Sequence, residues 1–175
     1  MDSSALMLHN WTNFFDITAA AGAQLIGLLF VAVTLGTGLS SSQSIAGARA
    51  FLTPTLISFS GVLFQALVVL APWPSDQAIA ILLTLSGLAS LAYHFNAIRL
   101  QGKLDFAALT GFDWIAHNGF PLVADASLVF GSAGLIAEKP FAPYAIAGSS
   151  TLLLISGIYG AWDMTLWMVK NRDKT

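Results

Sequence analysis

The chain has 175 residues, of which 56% are hydrophobic and only 9% are Asp, Glu, Lys or Arg, against about a quarter charged in an ordinary soluble domain. A formal net charge of -2 with no dense basic patch argues against nucleic acid as a partner, and the absence of cysteine excludes disulfides, thiolate metal sites and a cysteine nucleophile. The apolar residues fall into long runs, so their solvent is lipid, and the expected fold is an all-α integral membrane bundle with the bilayer as its first partner.

Met1 to Asn10 lacks the basic n-region of a cleavable signal peptide, so the first apolar run is expected to stay in the mature protein. Asn10-Trp11-Thr12 spells a glycosylation sequon, a pattern short enough to arise by chance. About 20 mostly apolar residues are needed to cross the hydrocarbon core. That length selects five segments, near 14–39, 49–72, 77–100, 112–137 and 143–169, which together form one transmembrane domain.

The first segment carries a line of small and polar residues, Asp16, Ala20, Gln24, Gly27, Thr34 and Gly38, and the second pairs Ser58 with Gln65 seven residues on. The third ends in Tyr93-His94-Phe95-Asn96 before Arg99. The fourth opens with Asp113-Trp114-Ile115-Ala116-His117-Asn118, and Pro121 invites a kink there, so this segment is expected to begin as a helix lying in the interface or to bend. Asn118, Asp125 and Ser132 repeat every seven residues on it, as do Ser149, Ser156 and Asp163 on the fifth, with Gly160 beside them. The connections are short and rich in turn residues, Ser40 to Ser44, Pro72 to Asp76, Gln101 to Lys103 and Glu138 to Pro140, so consecutive helices are expected to be antiparallel neighbours.

With five crossings, Arg49, Arg99, Lys103, Lys170, Arg172 and Lys174 fall on one side and Lys139 on the other. Lys and Arg are retained on the cytoplasmic side, which predicts an external N-terminus and a cytoplasmic C-terminus. Trp11, Trp73, Trp114, Trp162 and Trp167 lie near segment ends, where their amphipathic rings suit the headgroup level.

Polar groups inside apolar runs are expensive and face the bundle interior, a partner or water. His94, Asp113, His117 and Asp163 are expected to share one layer in the cytoplasmic third, with Asp113 and His117 at i and i+4 on one helix face. Such a layer can relay protons, hold a metal on His94, His117 and Asp113, or bind haem between the two histidines. It can equally be a structural lock in which Arg99 or Lys170 answers an acid. Asp125 is expected apart from it, close to mid-membrane. Joined in depth, Asp16, Asp125 and the layer would make a graded path for protons or small cations.

The opening Trp11-Thr12-Asn13-Phe14-Phe15 and Ala20-Ala21-Gly22-Ala23-Gln24-Leu25-Ile26-Gly27, together with the closing Gly160-Ala161-Trp162-Asp163-Met164-Thr165-Leu166-Trp167, resemble the two ends of a group of small bacterial multi-pass membrane proteins. Most of that group is uncharacterised, and some members carry a label as modulators of a membrane-bound ATP-dependent protease. The resemblance implies a bacterial inner membrane and a five-helix plan, and transfers no catalytic or binding residue. The first functional expectation is a homo-oligomeric channel or transporter for protons or small cations, non-enzymatic and without a cofactor, using Asp125, His94, Asp113, His117, Asp163, Asn118, Asp16 and Gln24. The alternatives are an accessory protein that binds a larger membrane partner, and a metal or haem carrier.

Overall fold

In hydrocarbon every backbone N–H and C=O must be satisfied within its own segment, which leaves the helix as the form for each apolar run. The computed structural model, which describes residues 8–35, 42–101 and 115–172, is all-helical over those runs. Its helices are α1 (Thr12–Leu35), α2 (Ser42–Leu70), α3 (Asp76–Gln101), α4 (Phe120–Ile136) and α5 (Ala142–Arg172), with a π-helical turn, Ile115–Gly119, leading into α4. Five stretches are long and apolar enough to cross a membrane, the fourth being the continuous Ile115–Ile136. Among the described residues this is the pattern of a multi-pass membrane protein.

α5 lies between α2 and α4, α1 packs on α2, and α3 packs on α4. Consecutive helices are neighbours with one exception. α2 and α3 meet only sparingly, although the loop between them is short. The expectation that every short loop joins packed neighbours therefore fails here, because α5 and α4 occupy the places beside α2 and α3 and bury more of their surfaces.

Small residues decide which helices come closest, since interfaces in lipid depend on packing and interhelical hydrogen bonds. A Cβ on Gly157 of α5 would fall inside the Phe59 ring of α2, and one on Gly160 would collide with the Thr55 hydroxyl. On α4, a Cβ on Gly131 would stand 2.9 Å from Ile146 and one on Gly134 2.8 Å from Phe141. On α3, a Cβ on Gly87 would stand 2.9 Å from Val129. An apolar cluster that includes Phe15, Ala66, Val69, Leu83, Leu135 and Ile146 fills the bundle toward the end where α1 and α5 begin. Trp11 closes that end, edge-on to Phe14 at 5.8 Å and to Tyr144 at 4.9 Å.

The turns are built from local hydrogen bonds. Trp73 donates its indole N–H to the Val68 carbonyl at 2.7 Å, satisfying an acceptor at the end of α2, and the Ser75 hydroxyl accepts the Ala78 N–H at the start of α3. After α4, Lys139 N–H bonds Gly134 O at 2.9 Å and Glu138 N–H bonds Leu135 O at 3.1 Å, the paired bonds of a Schellman cap. Glu138 holds φ 52°, the left-handed position that glycine occupies without steric cost. Glu138→Gly is therefore expected to stabilise the protein by about 1 kcal/mol, read as a raised unfolding midpoint in detergent or lipid.

Candidate functional site

Helix geometry explains how the site forms. Asp125 lies ten residues from Ile115 and eleven from Ile136, at the centre of the fourth span, while His94 is nearer the C-terminal end of α3. Side chains on a helix lean toward its N-terminus, and α3 and α4 run antiparallel. The imidazole therefore leans inward and the carboxylate leans toward it. His94 Nδ1 and Asp125 Oδ2 meet at 2.7 Å with both side chains almost wholly buried. That separation requires one proton between the two atoms and is typical of a charge-assisted bond. The Ser90 hydroxyl, one turn before His94, stands 3.5 Å from the same nitrogen.

The bond uses half of each group. His94 Nε2 and Asp125 Oδ1 are buried and have no partner among the described residues, and the same holds for Asn118 Nδ2. Buried polar atoms in proteins are normally met by a partner group or by internal water, so these atoms mark a polar interior able to take up a proton donor or acceptor.

A second pair lies nearer the start of the fourth span. His117 Nε2 is 3.4 Å from Asp163 Oδ2 of α5, an ionic contact longer than a direct hydrogen bond, with both side chains partly exposed. Tyr159 stands edge-on to the His117 ring at 5.5 Å. The π-helical turn that carries His117 and Asn118 follows from Pro121. Proline has no N–H, and its ring crowds the carbonyl four residues earlier, so the turn before it widens. In the wider i to i+5 pattern the Ala116 carbonyl would look to Pro121. The Ser156 hydroxyl of α5 supplies the missing donor at 3.2 Å.

Among the described residues the fourth segment is one continuous helical stretch, Ile115–Ile136, long and apolar enough to cross a membrane. Asn118, Asp125 and Ser132 are all buried despite the wide turn. Register along α4 and α5 follows from Ser127 Oγ–H donating to Ala145 O at 2.9 Å and from Gly131 against Ile146. It brings Asp125 to the level of Ser149 and Ser150. There Gln65 of α2 donates its amide N–H to Ser149 Oγ at 3.3 Å and accepts from Ser150 Oγ at 2.6 Å. These bonds tie α2 to α5, while the His94–Asp125 bond ties α3 to α4.

The expected arrangement is corrected at several points. His94 does not join His117 in one layer apart from Asp125; each histidine takes its own carboxylate. Asp113, expected to support His117 and to share a metal site, lies outside the described residues, and Asp163 of α5 stands at His117. Arg99 reaches no acid among the described contacts, its guanidinium lying over the Phe95 ring at 4.2 Å. Among the described residues no three His, Cys, Asp or Glu side chains come together as metal ligands. Asp16 and Gln24 are exposed on the outside of the single bundle, apart from the His94–Asp125 pair. Gln65, Ser149 and Ser150 form a buried hydrogen-bonded group between α2 and α5, which the sequence signalled only through the seven-residue spacing of Ser58 with Gln65 and of Ser149 with Ser156. Comparison with family models, with curated proteins and with solved structures finds no match to this chain.

Replacing His94 by Phe would leave the Asp125 carboxyl buried without its partner, at a cost of about 2 kcal/mol. Adding Asp125→Leu should recover part of that loss, so a double-mutant cycle on the unfolding free energy would show coupling well above additivity.

Proposed function

We propose that the protein translocates protons across a membrane, with His94 and Asp125 as the central exchange pair and His117 and Asp163 as the relay on one side. The observation that carries this reading is the buried 2.7 Å contact between an imidazole and a carboxylate, each with its second polar atom unpartnered among the described residues. An imidazole and a carboxylate in hydrogen-bond contact can pass a proton between them through small changes in position. Protons suit this bundle better than larger cations, because glycine-mediated contacts such as Gly157 on Phe59 leave the helices tightly packed and hydrogen-bonded groups can hand on a proton without an open pore.

The apolar cluster at the end where α1 and α5 begin would be a barrier to such a proton. A carrier that opens toward one side at a time fits this asymmetry better than a continuous channel. We place the basic side, with Arg49, Arg99, Lys103, Lys170, Arg172 and Lys174, in the cytoplasm on the bias of Lys and Arg. The relay pair would then face the cytoplasm, and the membrane would be a bacterial inner membrane.

The test is proton flux into proteoliposomes under an imposed gradient. Asp125→Asn keeps the shape of the carboxyl and should lower flux at least tenfold, whereas His117→Gln should slow flux and change its dependence on pH. Wild-type protein that passes no protons across a range of voltage and pH would overturn the proposal.

A further inference from the structure

α1 is the least enclosed span, with 17% of its apolar window buried against 44% for α2, α4 and α5. Its outward face is not the face that lipid selects. Ala20, Gln24 and Gly27 are all exposed, together with Asp16 nearer the aqueous end and Leu28 and Val31 beside them. Gln24 lies twelve residues after Thr12 and ten before Thr34, at the centre of the span. Its amide has no partner among the described residues. An unanswered amide in hydrocarbon costs several kcal/mol. Gly27, one turn further on, has nothing among the described residues within 4 Å of where a Cβ would be, so their packing gives no reason for a glycine there.

We infer that this face of α1 binds a second copy of the same chain, with the two Gln24 amides paired across a two-fold axis. Three properties favour a copy over another protein. An amide is both donor and acceptor, so it complements itself, and a two-fold axis along the membrane normal sets each Gln24 against its equivalent at equal depth. Ala20 and Gly27, one turn to either side, let the two backbones approach closely enough for the amides to meet. Asp16 is compatible with this geometry: it lies about 12 Å along the axis from Gln24, and helices crossing at about 40° diverge over that distance, so the two carboxylates separate toward water. This interface is independent of the proton path, since it uses none of His94, Asp125, His117 or Asp163.

The cysteine-free chain allows a clean test. Ala20→Cys and Gly27→Cys, introduced singly into the full-length protein in native membranes, should each form a disulfide-linked dimer on mild oxidation. Leu85→Cys, on the exposed face of α3, should not. In lipid vesicles, Gln24→Leu and Gly27→Ile should each weaken dimerisation measured by single-molecule photobleaching or energy transfer, the first about tenfold. Neither should change the unfolding midpoint of the isolated chain in detergent. Failure of both α1 cysteines to cross-link, equal cross-linking from Leu85→Cys, cross-linking to a product of another mass, or unchanged dimerisation in Gln24→Leu would each overturn the inference.

Discussion

A polar group in hydrocarbon has no water to fall back on, and this constraint accounts for most of what the bundle does. It forces each apolar run into a helix, since only a helix answers its own backbone. The same constraint governs the side chains. The Ala116 carbonyl, which Pro121 cannot answer, takes the Ser156 hydroxyl, and the Gln65 amide is satisfied by two serines of α5. Asp125, at the centre of the fourth span, meets His94. Each of these contacts joins two helices, so satisfying a buried group and fixing a helix pair are one event.

Close packing supplies the rest. Lipid tails are as apolar as the helix surfaces they cover, so there is no hydrophobic gain in bringing two helices together, and attraction has to come from contact and hydrogen bonding. α5 is the hub because it offers glycines and serines to α2 and, on its other side, meets the glycines of α4. Gly157 and Gly160 receive Phe59 and Thr55 of α2, while Ile146 and Phe141 meet Gly131 and Gly134 of α4. The result is a bundle with an apolar cluster toward Trp11 and Tyr144, and with buried His94 and Asp125 atoms that lack partners among the described residues further along it. Such an asymmetry suits a protein that exchanges a proton with one face at a time.

The outward face of α1 is where the same constraint is left unanswered inside one chain. Gln24 and Gly27 are ordinary residues for a helix interface and poor ones for lipid, whereas the neighbouring Leu28, Phe30 and Val31 are what lipid selects. Pairing two copies of α1 meets the need of the amide without disturbing the interior.

Sequence alone determined that five runs are long and apolar enough to span a membrane, because that property follows from the apolar content of each run by itself. It also marked Asp125, His94, His117 and Asp163 as groups that need partners, since a polar residue in an apolar run stands out without any knowledge of the fold. Which partner each one takes was decided by tertiary structure. The spacing of Asp113 and His117 favoured a pair on one helix, but Asp163 of α5 stands at His117. Nothing in the order of the chain says that α2 leaves α3 to pack on α5, and that arrangement brings Gln65 to Ser149 and Ser150. The direction of the small and polar line on α1 was equally hidden. Periodicity puts Asp16, Gln24 and Gly27 on one face, and only the packing of the other four helices turns that face outward.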